Sequence, residues 1–223
     1  MKADIQTLLK QSVPSMSGVS DQEISALSAH AGLVSLAPGE FVFRSGDSCE
    51  SFLILLDGEI RVQLLSSEGR EVTLYKIGQG GSCVLTTSCL MGDEIYPAEA
   101  IAASAVTAIA VPRESFNKIL ETSPSFRRYV FDGFSSRLGD VIARVHQLVF
   151  TPIDVRLAKA LLAICGGRPA RITHQDLSVE LGTAREVVSR HLKRFEEQGL
   201  VRLGRGEIEI ISEDRLMRLA ETD

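Results

Sequence analysis

Between residues 32 and 112 the chain alternates short runs of β-branched and aromatic residues with single glycines, a rhythm that few folds accommodate. The runs at 41–43, 52–56, 60–65, 72–77 and 106–111 are punctuated by Gly39, Gly46, Gly58, Gly69, Gly78 and Gly80. Glycine reaches positive φ without steric cost, so each marks a tight turn between strands. Evenly spaced short strands predict a barrel or a jelly-roll-like β-roll. Leu56, Asp57, Gly58 and Glu59 predict a hairpin, because Asp-Gly suits a two-residue type I′ turn.

Helices flank this region. Residues 1–31 read as helical, with Ser20 and Glu23 spaced for a capping box and Ile24 and Leu27 supplying an apolar side. Pro112 opens a further helical stretch and Pro124 another. In the latter, Phe131, Phe134, Leu138, Val141, Val145 and Leu148 recur at spacings of three and four. Such a heptad seam favours a second helix of the same kind, and predicts a homodimer. The alternative is that the stripe packs on its own β domain. Pro152 ends the helix, since proline lacks the amide that the ladder needs. The fold class is therefore α+β, divided as 1–123 (helices and β-roll), 124–151 (dimerisation helix) and 152–223 (a smaller C-terminal domain).

After Pro152 the sequence predicts three helices and a hairpin. The first, 155–165, offers Leu157, Leu161, Leu162 and Ile164 to a core and is stopped by Gly166 and Gly167. The second starts at Thr173, with Asp176 placed for reciprocal capping, and runs to Gly182. The third covers 184–198 and buries Val187, Val188, Leu192 and Phe195. Helix, glycine turn and helix form the helix-turn-helix pattern. Residues at the start of its second helix reach base edges in the major groove, here Arg185, Glu186, Ser189 and Arg190. Arginine donates twice to guanine O6 and N7, and glutamate accepts from cytosine N4. The bland alternative is a capping box from Thr183 to Glu186, with Arg190 paired to Glu186 or Glu197 on a solvated face. Residues 200–211 predict a two-stranded wing with Arg205 at its tip. Arg205, Thr173, His174 and Gln175 are candidates for phosphate contacts, which position the protein without reading sequence.

The net charge of −5 looks unsuited to DNA, but its distribution is uneven. Residues 1–151 carry 12 basic and 17 acidic side chains, whereas 152–223 carry 12 of each, so the acidity belongs to the first part. Tryptophan is absent, which argues against stacking platforms for single strands. The polar start and the short, interrupted apolar run at 101–111 predict neither a signal peptide nor a membrane span. Cys49, Cys83, Cys89 and Cys165 show no CxxC pair, which predicts reduced thiols in a cytoplasmic protein. No catalytic constellation, phosphate-binding loop or metal-ligand spacing is evident, so an enzyme is not expected.

With these motifs in place, the chain resembles the Crp/Fnr family of regulators. The resemblance is carried by Ile172-Thr-His-Gln-Asp-Leu177, by Gly182-Thr-Ala-Arg-Glu-Val-Val-Ser-Arg-His-Leu-Lys-Arg-Phe-Glu196, and by Gly199-Leu-Val201. It implies a β-roll of the cyclic-nucleotide-binding type, a long dimerisation helix, and an inverted-repeat DNA site with TGA in each half. RNA polymerase is the further partner that it implies. Members that bind cyclic AMP hold the ribose and phosphate with a Gly-Glu pair and an Arg-Ser pair. Aligning on Gly80 and Gly92 puts Val84-Leu85 and Ile95-Tyr96 in their places. A buried phosphate would find no cation there, so cyclic AMP is not the expected effector. The N-terminal cysteines of the oxygen-sensing Fnr branch are missing too, because the first cysteine is Cys49.

The cofactor is therefore unknown, and two signals stay open. Cys83 and Cys89 are candidates for oxidation or for attack by reactive sulfur, against the alternative that both are small core residues. Haem or a gas ligand held by His30 or His146 is the other. A rival from another class is a regulatory adaptor that binds no DNA.

Overall fold

The computed structural model describes residues 5–67, 71–92, 94–165 and 169–221. Gly69, Gly166 and Gly167, which entered the turn readings above, lie outside the described residues. The chain forms two compact units. One comprises the residues up to Leu64 together with Leu74–Val141; the other comprises Leu65–Thr73 and the chain from Ile142 onward.

In the first unit, α1 (Ile5–Ser12), a 3-10 turn (Pro14–Met16) and α2 (Asp21–Ser28) precede the sheets. The capping box at α2 forms as its spacing predicts. The Glu23 N–H donates to Ser20 Oγ at 3.4 Å, and the Ser20 N–H donates to Glu23 Oε2 at 2.7 Å. Ile24 and Leu27 are buried beneath it.

Among the described residues seven strands follow: β1 (Gly32–Leu36), β2 (Phe41–Phe43), β3 (Ser51–Asp57), β4 (Ile60–Leu65), β5 (Glu71–Ile77), β6 (Glu99–Ala102) and β7 (Val106–Pro112). They make two sheets, ordered β1-β7-β3 and β2-β6-β4-β5. Alternate residues point inward, as a half-buried sheet requires. Phe52 and Ile54 of β3, Val62 of β4, Ala100 of β6, and Ile109 and Val111 of β7 are fully buried. The β1 and β6 strands were not anticipated. Neither was α3 (Val84–Gly92), an apolar helix between β5 and β6.

One expectation is overturned. Asp57 and Gly58 do not close a hairpin, because β3 pairs with β7 while β4 pairs with β6. The turn carries the chain from one sheet to the other. Gly58 has φ +92°, and a Cβ placed there would run into the Ala105 carbonyl oxygen. Backbone cannot yield as a flexible side chain would. Gly58→Ala should therefore destabilise the first unit by about 2–5 kcal/mol, combining positive-φ strain with overpacking. Urea unfolding reads this directly, and a midpoint equal to that of the parent would contradict it.

The prolines act as expected. Pro112 immediately precedes α4 (Arg113–Thr122), and Pro124 is the first residue of α5 (Pro124–Phe150). The Phe126 N–H donates to Ser123 Oγ at 3.0 Å, a side-chain cap on the long helix. Three rings lock these helices to the roll. Phe52 stacks on Phe116 at 4.6 Å, and Phe126 meets both edge-on at 6.1 and 5.9 Å.

Along α5 the apolar residues divide in two. Phe131, Phe134, Leu138, Ile142, Val145 and Val149 are exposed. Val141 and Leu148, assigned to the seam by heptad spacing, are turned inward instead. Val141 packs on the core of the first unit, and Leu148 approaches Gly182 in the second. Ile142 and Val149 take their places in the exposed stripe.

The second unit contains α6 (Ile153–Cys165), α7 (His174–Leu181), α8 (Arg185–Glu197), the β8 (Val201–Gly204) and β9 (Glu207–Ile210) ribbon, and α9 (Glu213–Ala220). Its core joins Leu157 and Leu161 to Leu177, Val188, Leu192, Phe195 and Ile208. Ile164, expected inside, is 40% exposed, and Cys165 is buried in that turn of the helix instead. The unanticipated α9 adds Leu216 to this core. Among the described residues no helix is long and apolar enough to cross a membrane.

Candidate nucleic-acid interface

The start of α7 is held by its own sequence. The Asp176 N–H donates to Thr173 Oγ1 and the Thr173 N–H donates to Asp176 Oδ2, both at 3.1 Å. This capping box satisfies two amides that a helix start leaves free. The other end of α7 is held by distant residues. Its last three carbonyls accept in turn from Thr73 Oγ1 (onto Val179, 3.5 Å), Arg144 Nη2 (onto Glu180) and Arg156 Nη1 (onto Leu181, 2.7 Å). Three orphan acceptors are thereby satisfied from three different segments.

Gly182 then makes the turn. It is left-handed at φ +61°, with its N–H donating back to the end of α7. A Cβ there would lie 2.9 Å from Leu148 Cδ2 and 3.2 Å from Val72 Cγ1. Glycine is needed here for its backbone angle and also for space.

On α8, Val188, Leu192 and Phe195 are buried and hold the helix down, while Val187 is half-buried. The opposite face presents Arg185, Glu186 and Arg190, all exposed. The capping-box alternative for Glu186 is not what forms. Ala184, not Thr183, is the N-cap of α8, and no side chain caps it. Nor is Arg190 spent on an ion pair: among the described residues Arg185, Glu186 and Arg190 make none. Other charges of this region are committed. Asp154 binds both His191 and Arg194, Arg202 bridges across the wing to Glu209 at 2.8 Å, and Glu196 accepts from the Leu203 N–H. The arginines free to meet DNA are therefore fewer than the sequence count suggests, and they share one side.

The start of α7, the start of α8 and the wing enclose a cleft of 490 Å³. Thr173, His174, Gln175 and Arg185 line it, facing Gly204, Gly206 and Glu207 of the wing. Arg205 stands exposed between the two wing glycines. Ser189 is half-buried, with its Oγ 2.8 Å from Nδ1 of His174. Residues from three elements, separated by up to 34 positions between Thr173 and Glu207, thus meet at one surface. Glu207 is a cleft residue that sequence reasoning missed, and nothing in its local pattern distinguishes it from other wing residues.

The candidate sensor residues lie in the first unit. Cys83 and Cys89 are both buried, the first just before α3 and the second inside it. Six residues of helix advance about 9 Å, beyond the separation that a disulfide spans. A direct Cys83–Cys89 bond therefore requires α3 to unwind. Cys49, which sequence reasoning left aside, sits between them. Its Sγ is 3.7 Å from the carbonyl oxygen of Thr86, midway along that interval, and 2.9 Å from the Tyr96 hydroxyl. The Tyr75 hydroxyl is 3.5 Å from Cys83 Sγ. Burial pushes the Cys49 and Cys89 thiols above their ordinary range, with neighbouring thiols adding to the effect. Both are thus protonated and weakly nucleophilic in this conformation. Among the described residues no three His, Cys, Asp or Glu side chains are grouped to hold a metal ion. His30 and His146 are both exposed; His30 lines a cleft of 560 Å³ against Glu114, Lys118 and Ile119 of α4, and His146 rests against Phe150 at 5.0 Å.

A cyclic-nucleotide-type β-roll, followed by a long helix and a winged helix-turn-helix, defines a DNA-binding transcription regulator. Comparison with known proteins agrees on both modules. Residues 33–123 match the cyclic nucleotide-binding domain, and residues 155–219 match the Crp-like helix-turn-helix domain. The chain belongs to the Crp/Fnr family. It is 26% identical over 200 residues to the cyclic AMP receptor protein of Thermus thermophilus, covering 88% of this chain and 92% of that one. It is also 26% identical over 196 residues to the transcriptional activator protein anr of Pseudomonas aeruginosa, covering 83% and 79%. A solved Crp/Fnr-family regulator from Eubacterium rectale superposes with a TM-score of 0.84 at 28% identity, over 94% of this chain and 98% of the other.

Proposed function

We propose that the protein acts as a homodimer on an inverted-repeat site, with Arg185, Glu186, Ser189 and Arg190 reading bases. The single observation that carries this is the cleft. Two helix starts and a wing tip converge, beside exposed Arg185, Arg190 and Arg205, which make no ion pair among the described residues. Thr173, Gln175 and Arg205 contact phosphates, and their attraction to the backbone is independent of sequence. The exposed stripe of α5 pairs two copies, so that recognition helices enter major grooves about 34 Å apart. RNA polymerase is the partner through which the bound dimer acts, in the cytoplasm.

The signal is not cyclic AMP, since Val84-Leu85 and Ile95-Tyr96, which align with the family's ribose and phosphate ligands, offer no cation. The thiol reading is favoured by the approach of Cys49 to the stretch between Cys83 and Cys89. A hydroperoxide would oxidise one thiol to the sulfenic acid, releasing the alcohol. A second thiol would then displace water to form the disulfide. Because these thiols are buried, the reaction needs an opened form of α3, which the disulfide would trap.

One experiment covers both parts. Selection from random duplexes by the purified protein should return a two-fold symmetric site containing TGA halves. Peroxide should alter the recovered affinity for the parent protein, but not for the Cys49→Ser, Cys83→Ser, Cys89→Ser triple variant. Recovery of no consensus refutes the DNA reading; equal peroxide responses refute the thiol reading alone.

A further inference from the structure

We infer that His174 is a specificity-determining positioning residue: it orients the Ser189 hydroxyl so that Ser189 selects bases presenting an amino group. This rests on the DNA reading above and adds to the assignment of His174 to phosphate, which it keeps through Nε2. The observation is the 2.8 Å contact between His174 Nδ1 and Ser189 Oγ, which ties the first residue of α7 to the recognition face of α8.

The geometry is preorganised on both sides. His174 directly follows Thr173, whose capping box fixes the turn that carries the imidazole. Ser189 directly follows Val188, which is fully buried and sets the rotation of α8. Neither group needs to search for the other, so the contact persists at little entropic cost.

The hydrogen's direction decides what Ser189 can read. A free serine hydroxyl both donates and accepts, and its rotor adapts to any base edge. His174 lines the cleft, and once Nδ1 is engaged Nε2 is the ring nitrogen left to face it. A phosphate arriving there only accepts, so Nε2 carries the proton of the neutral ring, and Nδ1 keeps its lone pair. Ser189 O–H then donates to Nδ1. Its remaining capacity is two lone pairs, and these accept from adenine N6 or cytosine N4 in the major groove. Guanine and thymine edges, which offer acceptors, meet no donor from this hydroxyl. The phosphate and the base are thus linked through one imidazole.

The test compares binding preferences of four dimers: parent, Ser189→Ala, His174→Ala and His174→Asn, with Arg205→Ala as the phosphate-only comparison. Ser189→Ala locates the base position concerned. His174→Ala should weaken the preference for an amino-bearing base at that same position by about fivefold, the worth of one oriented hydrogen bond. His174→Asn, whose amide oxygen can take the place of Nδ1, should restore it. Arg205→Ala should lower affinity for all duplexes alike. The inference is overturned if His174→Ala behaves as Arg205→Ala does, or if the preference at the Ser189 position is unchanged while His174→Ala remains folded by circular dichroism. A parent protein that selects no sequence would bring down the DNA reading itself, a result distinct from either.

Discussion

Leu138→Asp is expected to turn the proposed homodimer into a monomer and to lower affinity for the full inverted repeat by roughly 10²–10⁴-fold, the gain that linkage of two sites provides. Leu138 lies at the middle of the exposed stripe and is itself 52% exposed, so the substitution removes no core packing within the protomer. In a paired coil the same position is desolvated. A carboxylate there must be neutralised or leave, and either outcome opposes association. Sedimentation equilibrium gives the oligomeric state, and titration of full and half sites separates bivalency from intrinsic affinity. The half-site affinity should be unchanged. A Leu138→Asp protein that stays dimeric would place the interface elsewhere, and an unaltered full-site affinity would dispense with the dimer.

The second large effect concerns Arg190. Alanine at this position should cost about 1–3 kcal/mol per half-site, or roughly 5- to 150-fold, against the preferred sequence. Affinity for random duplexes should change little. The asymmetry follows from geometry: Arg190 is exposed, one helical turn beyond Glu186, and free of intramolecular ion pairs among the described residues. Its removal breaks no ion pair among the described residues, and Val188 and Leu192 still anchor α8. Arg190→Lys keeps the charge but lacks the two parallel donors that guanine needs, so it should lose the sequence preference as alanine does. Fluorescence anisotropy with specific and scrambled duplexes measures both quantities. Equal losses on both would make Arg190 a phosphate contact, and no loss on either would remove it from the interface.

The locally encoded features proved the most legible. Ser20 with Glu23, and Thr173 with Asp176, form the two capping boxes that their three-residue spacing predicts. Pro112 and Pro124 open helices, and Gly182 occupies the left-handed turn. Each depends on atoms a few residues apart, so a short window contains the whole cause. α3 escaped notice for the opposite reason: Val84 and Leu85 are separated from Cys89 and Leu90 by Thr86, Thr87 and Ser88, two of them also buried, so the segment has no helical alternation of apolar and polar faces to read. The exposed Gly32–Leu36 and the alanine-rich Glu99–Ala102 were equally silent as strands.

The arrangement of partners lay beyond any local pattern. Asp57 and Gly58 have the chemistry of a hairpin, yet strands β3 and β4 join different sheets, because their pairing is decided by β7 and β6, more than thirty residues downstream. Heptad spacing named Val141 and Leu148 as seam residues, but each found a partner within its own unit, and the stripe moved to Ile142 and Val149. Cys49 became the neighbour of α3, and His174 that of Ser189, over separations of 37 and 15 residues. Residue order therefore set where helices begin, where they stop and which chemistry α8 displays, since steric and capping effects act within a turn or two. Which strands pair, which thiols meet and which imidazole faces which hydroxyl were settled by packing, because such contacts gain their free energy only after distant segments have been brought together.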